Sequence, residues 1–129
     1  NYSLEVILEP LGPMYSNYIN TLPEAVRVIR EVGMPNLFTM ADLRHLVWSK
    51  EPLDDIVSYV DYIHHIHVDY PDSYPARPFP KAGDGYDYTE FIDVIKKSGY
   101  QETLTVEADI PKDWKGAYMD AAGVLKNIL

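Results

Sequence analysis

The chain contains no cysteine, which excludes a disulfide framework and any thiolate chemistry. It contains no apolar run approaching the ~18 residues that a membrane-spanning helix needs, so a cytoplasmic protein with no membrane partner is expected. Positive charge is scarce: 11 Lys and Arg stand against 20 Asp and Glu, for a net charge of −9. Affinity for polynucleotides rests mainly on cationic contacts to phosphate, so a nucleic-acid partner is disfavoured. There is also no initiating Met. The chain starts at Asn1 and runs almost directly into a strand-like segment without the apolar core of a signal peptide, and a piece of something longer is the expectation.

What is present is enough for one domain. The 129 residues are 47% hydrophobic, which supports a sizeable core, and no linker or repeat divides them. Four strand-like runs stand out: Leu4 to Glu9, Leu37 to Asp42, Ile63 to His67 and Thr103 to Glu107. Each leads through a loop toward a helical pattern. Thr21 and Glu24 read as a capping box opening a helix that Gly33 stops. After the second strand a helix is expected to begin near Ser49, with Pro52 in its first turn and Ile56, Val57 and Val60 as its apolar stripe. The third strand runs into a long connection, Asp69 to Gly85, rich in proline and glycine; a loop of that length is more often a functional lid than filler. Asp87 and Glu90 read as a second capping box, Phe91, Ile92, Val94 and Ile95 as a buried face, and Gly99 as a stop. Ala117 to Leu129 reads as a closing helix. Strands alternating with helices imply a parallel α/β sheet.

Each strand-like run ends on an acidic or imidazole side chain: Glu9, Asp42, His67 and Glu107. Catalytic groups collect where the strands of α/β sheets and barrels end, so four separate strands can bring these residues to one point. Three carboxylates and one imidazole suit a hard or borderline divalent cation, Mn²⁺ first, with Mg²⁺, Co²⁺ or Zn²⁺ as further candidates. As a strand-end group outside the core, Asp42 is expected to be replaceable without unfolding the chain. Four βα units are about half of a (β/α)8 barrel, which needs roughly 250 residues.

Glu9-Pro10-Leu11 after an apolar strand, Asp42-x-x-His45 after the next, His67 in an H-x-H strand, the Gly83-Asp84-Gly85 turn, and Gly99-Tyr100 before a strand ending in Glu107 occur here in that order. Together they resemble the xylose isomerase-like TIM-barrel superfamily of sugar isomerases and epimerases. The resemblance covers nearly the whole chain but only the C-terminal half of that fold, so residues 1–129 are expected to be that half-barrel. For its ketose 3-epimerase branch, the resemblance implies that Glu9, Asp42, His67 and Glu107 bind the metal and that both glutamates move substrate protons. It further implies that His45 and Arg77 contact substrate oxygens. The chemistry is coherent: moving a proton next to a sugar carbonyl passes through an enediolate, and a divalent cation stabilises its charge while bases stand on both sides. The substrate expected is a sugar or sugar phosphate. A closed barrel would need an N-terminal half or a second copy of the chain.

Plainer readings stand beside these. The Asp42 pair with His45 also fits a helix cap with His45 solvated, and Arg77 also fits a surface loop. Trp48 and Trp114 suit an aromatic wall for a sugar or a cap on the barrel core. His64 is expected on the opposite strand face from His65 and His67 by the period of two. Tyr15, Tyr18 and Tyr74 carry no usable signal, and Asp54 and Asp55 read as a solvated helix start. Two other functions remain open. One is a non-catalytic half-barrel that serves assembly or binding. The other is an endonuclease IV-like phosphodiesterase, which would need an Asp-x-His pair that the stretch Arg77 to Lys81 does not contain.

Overall fold

Four parallel strands lie side by side in chain order in the computed structural model, which describes residues 4–126. They are β1 (Val6–Leu8), β2 (Leu37–Asp42), β3 (Ile63–Val68) and β4 (Thr103–Val106). The helices are α1 (Leu22–Val32), α2 (Leu43–Ser49), α3 (Asp55–Ser58), α4 (Thr89–Ser98) and α5 (Trp114–Leu125), with a 3-10 turn at Val60–Tyr62. Every strand pair is parallel, with Ile7 beside Phe38, Asp42 beside His67, and His67 beside Thr105. Chain order equals sheet order because each connection carries a helix back to the start of the next strand.

The helices form where the sequence supplies both a stripe and stops. On α1, Leu22, Ala25, Val26 and Ile29 are buried, the spacing of one helical face. Thr21 accepts from the Glu24 N–H, and Gly33 ends the helix at φ 66 with its N–H on Ile29. Glu24 reaches past the expected partner: its carboxylate accepts from Asn20 N at 2.7 Å, one residue before the cap. Phe91, Ile92, Val94 and Ile95 form the buried face of α4 as expected, and Gly99 closes it at φ 72. The expected capping box there is replaced by an Asx turn, in which Asp87 accepts from Thr89 N at 2.9 Å. These faces pack onto Ala41, Ile66 and Val68, each at most 1% exposed. Burial of each large side chain contributes roughly 1.5–3 kcal/mol.

Three elements differ from the sequence reading. A helix, α2, begins directly at Leu43, and Ser49 ends it; Lys50 then turns left-handed at φ 53, with its N–H on Leu46 and Val47. Seven residues are too few for a periodic stripe to show. The apolar residues assigned to one helix from Ser49 belong to the short α3 and the 3-10 turn that follows. The closing helix starts three residues earlier than expected, where Asp113 accepts from Gly116 N at 3.0 Å, and its expected end at Leu129 lies outside the described residues. Finally, β3 bulges at His64: Thr39 pairs with Ile63 and Met40 with His65. The extra residue breaks the period of two, so His64 joins the face of Phe38 and Glu5, stacking on Phe38 at 3.4 Å and pairing with Glu5 at 3.0 Å.

Candidate metal centre

Glu9 follows β1, Asp42 ends β2, His67 lies next to the end of β3, and Glu107 follows β4. One ligand atom from each lies within 4.8 Å of the others. His67 Nδ1 is 3.0 Å from Glu107 Oε2, 3.7 Å from Asp42 Oδ2 and 3.9 Å from Glu9 Oε1. Yet the buried His67 Nδ1 and Glu107 Oε2 make no hydrogen bond. Glu107 Oε2 has the Arg77 guanidinium 2.7 Å away as an ion-pair partner, so of this pair only His67 Nδ1 lacks one. Three carboxylates and an imidazole with ligand atoms this close make a donor set that fits a divalent cation.

Charge balance agrees. Asp42, Asp69 and Glu107 pair with Arg44 and Arg77, and Glu9 adds a fourth carboxylate whose neighbours are His45 and His67. With both imidazoles neutral, four carboxylates against two guanidiniums leave two negative charges for one dication to neutralise. Asp42 sits at the centre with no exposed side-chain surface. Burial alone would raise its pKa, but His67, His45 and Arg77 outweigh that and hold it far below the ordinary carboxylate range. Glu9 goes the other way, pushed up by burial and by Asp42 and Glu107. Burial lowers His67, but the three carboxylates overcome it and raise the net value.

Asp42 caps a helix with one carboxylate oxygen and faces the cluster with the other. Its Oδ1 accepts from His45 N at 3.2 Å, capping α2, while Oδ2 faces Arg77 and His67. His45 is not solvated: it is 4% exposed, its pKa is lowered by burial, and its Nε2 is 3.7 Å from Glu9. Arg77 is no free surface arginine. Its NH2 lies 2.7 Å from Asp42, its NH1 2.7 Å from Glu107 and its Nε 2.8 Å from Asp69. A cleft of about 240 Å³ opens between Glu9, Leu11, Tyr15, His45 and Arg77.

Trp48 stands at the rim of this cleft in an aromatic set that sequence reasoning missed. Tyr15 stacks parallel on it at 5.8 Å, and Tyr74, from the long connection, meets both rings. Gly12 lets the chain pass close: a Cβ there would lie 3.3 Å from Trp48 and 3.4 Å from His45. Trp114 meets Tyr118 edge-on at 6.4 Å in a set that includes Phe79, and it is not among the residues that line this cleft. Three charged residues also escaped the sequence reading: Arg44, Asp69 and Asp109. Each follows a candidate ligand by two positions; for Asp69 and Asp109, beyond the ends of β3 and β4, that offset points to the same face, whereas Arg44 lies on α2, where the period of two does not hold.

The family model for xylose isomerase-like TIM barrels matches residues 1–128. Solved structures similar to this chain include 3-keto-D-glucoside 4-epimerase from E. coli (23% identity, TM-score 0.79, covering 95% of this chain and 45% of that one). D-allulose 3-epimerase from Methylomonas sp. matches at 19% identity and TM-score 0.81, over 97% of this chain and 49% of that one. A family 2 AP endonuclease from Brucella melitensis matches at 22% identity and TM-score 0.70, over 88% and 43%. The search of curated proteins gives no match. The chain spans about half the length of these structures, so its four-stranded parallel sheet is half of a (β/α)8 barrel.

Proposed function

Because the chain belongs to the xylose isomerase-like TIM-barrel family, we propose that residues 1–129 form the C-terminal half of a metal-dependent sugar isomerase or epimerase. The observation that carries this reading is the convergence of Glu9, Asp42, His67 and Glu107 on one point, with one ligand atom of each within 4.8 Å of the others. These four residues would hold the dication, Mn²⁺ first. When bound, it supplies positive charge to the oxygen on which negative charge develops as a carbon acid ionises.

The chain's own residues supply the rest. Glu9 and Glu107 follow the two outer strands of the sheet and flank the centre from opposite sides. Glu9, whose affinity for a proton is raised by burial and by Asp42 and Glu107 before any cation binds, would take the proton from the carbon next to the carbonyl. Glu107, entering the step protonated, would give its own proton to the opposite face, and both carboxylates would then re-equilibrate with solvent; the roles exchange in the reverse direction. His45 and the two Arg77 N–H groups not committed to carboxylates would orient substrate oxygens in the cleft, with Trp48 as a wall. Trp114, expected beside the substrate, would reach it only through a rearrangement or a closing half-barrel. The substrate class is a small sugar or sugar phosphate, and closure requires an N-terminal half-barrel or a second copy.

The test has two stages. Calorimetric titration of the chain with Mn²⁺ should show one site per chain; no uptake would favour a non-catalytic assembly module instead. In the closed, active barrel, Glu9→Gln or Glu107→Gln should lower turnover by at least ~10², and solvent deuterium should enter the product. A product that retains the substrate hydrogen completely would point to a hydride shift and overturn the two-glutamate reading.

A further inference from the structure

We propose that Arg44, Asp69 and Asp109 are positioning residues whose shared task is to fix the Arg77 guanidinium over the carboxylate cluster. The proposal rests on the metal-site reading above and assigns a role to residues that reading leaves unused. All three lie two positions beyond a ligand, on Asp42, His67 and Glu107 respectively, and all three converge on Arg77 or on the loop that carries it.

The contacts form a chain. Arg44 and Asp69 are both 0% exposed, and Arg44 Nε donates to Asp69 Oδ2 at 2.7 Å. The same oxygen accepts from Arg77 Nε at 2.8 Å. Arg44 also holds the long connection itself, donating to the carbonyls of Tyr70, Ser73 and Ala76. Asp109 grips Arg77 from the other side by its main chain: Arg77 N donates to Asp109 Oδ2 at 2.8 Å, and Asp109 N donates to Arg77 O at 2.8 Å. A fully buried guanidinium that reads three loop carbonyls is costly unless the loop position matters. The end product is an Arg77 fork with one N–H on Asp42 and another beside Glu107, and with its remaining N–H groups turned to the cleft.

This arrangement makes a prediction that a merely structural role would not. Arg77 places a positive charge against two of the four cation ligands, so it opposes the cation. Arg77→Met should therefore tighten Mn²⁺ binding, by at least ~10-fold for a like charge a few Å away. Asp109→Ala, an exposed substitution, should loosen Arg77 and tighten Mn²⁺ severalfold in the same direction. In the Arg77→Met background, Asp109→Ala should change nothing.

Calorimetry of the whole chain in this double-variant cycle, with melting temperature as a control, decides the matter. Unchanged or weaker Mn²⁺ binding in Asp109→Ala overturns the proposal, and so does an Asp109→Ala effect that persists without Arg77. If no variant takes up Mn²⁺, the metal reading fails, and the clamp is judged by amide exchange at Arg77. Acceleration by at least ~10-fold in Asp109→Ala, the loss of one hydrogen bond to a charged group, supports the clamp; an unchanged rate overturns it.

Discussion

The two inner strands and the two outer strands contribute equally to the ligand cluster but not in kind. From β2 and β3 come Asp42, with no exposed side-chain surface, and His67, at 17%; from the ends of β1 and β4 come Glu9 at 33% and Glu107 at 45%. An inner strand is flanked on both sides, so its strand-end group is desolvated and held by several partners. Asp42 caps a helix, pairs with Arg77 and lies deep in the ionised range. An outer strand in this half-barrel is flanked on one side only, which leaves its glutamates more exposed; Glu9 is still partly buried, and that burial, with Asp42 and Glu107, raises its affinity for a proton. The single chain thus sets a sealed, ionised Asp42 against two more accessible glutamates, and closure of the barrel would flank the outer strands as well.

The comparison is broken most strongly at the core behind the inner strands. Ile66 on β3 is 0% exposed, and Ile66→Ala should cost about 2–5 kcal/mol, read from denaturant unfolding. Asp42→Asn comes next. The sequence reading treated Asp42 as removable without structural cost, but its cap on α2 means that Asp42→Ala would lose about 1 kcal/mol of stability as well. Asn caps as well as Asp while lacking the charge, so Asp42→Asn should keep the cap but lower the melting temperature by losing the buried ion pair with Arg77, and it should weaken Mn²⁺ by more than ~100-fold, beyond the range for outer-shell changes. Affinity within tenfold of the parent would remove Asp42 from the ligand set.

The division between inner and outer strands was legible in the sequence only in part. Four acidic or imidazole groups at four strand ends were visible because strands have a short period and an abrupt end, and the loop, the α1 stripe and the α4 stripe followed from glycine stops and spacing. What stayed hidden was of two kinds. The bulge at His64 and the seven-residue α2 depend on sheet pairing and on a cap whose other oxygen faces the cluster, and neither leaves a periodic trace. The buried network of Arg44, Asp69 and Arg77 joins residues up to 33 positions apart in sequence, and among them the strand offset of two from a candidate ligand points only to Asp69. The aromatic set of Tyr15, Trp48 and Tyr74 was invisible for the same reason: two loop residues meet a helix residue only through the fold.

A smaller effect, on pH, would sharpen the contrast behind β2. Glu51 is buried beside Ala41 and Asp42 and accepts from Leu22 N at 2.8 Å, tying the start of α1 to the end of α2. Burial pushes its pKa up from 4.5 to about 8. Between those values the folded chain keeps a proton that the unfolded chain has lost. Its contribution is therefore complete below about pH 4.5 and is lost as pH rises to about 8, with a slope of up to one proton. Unfolding free energies across that window should decline in the parent, and Glu51→Gln, which keeps an acceptor for Leu22, should remove this part of the decline. The same slope in both proteins would assign it elsewhere.

The smallest effect is expected on β1, and it tests the half-barrel directly. Ile7 shares the face of Glu9 by the period of two and pairs with Phe38, yet it is 39% exposed, whereas Ile66 on the other face of the sheet is sealed by helices. With little surface to lose, Ile7→Ala in the chain alone should cost less than ~1 kcal/mol, a fraction of the full burial value. In a closed barrel that face becomes the interior, packed by side chains from every strand. The same substitution should then approach the 2–5 kcal/mol of a core Ile→Ala change once an N-terminal half is added or two copies associate. Measuring Ile7→Ala in both states gives the difference that closure makes. A cost as small in the assembled protein as in the single chain would mean that no partner covers this face and that the sheet works as an open platform.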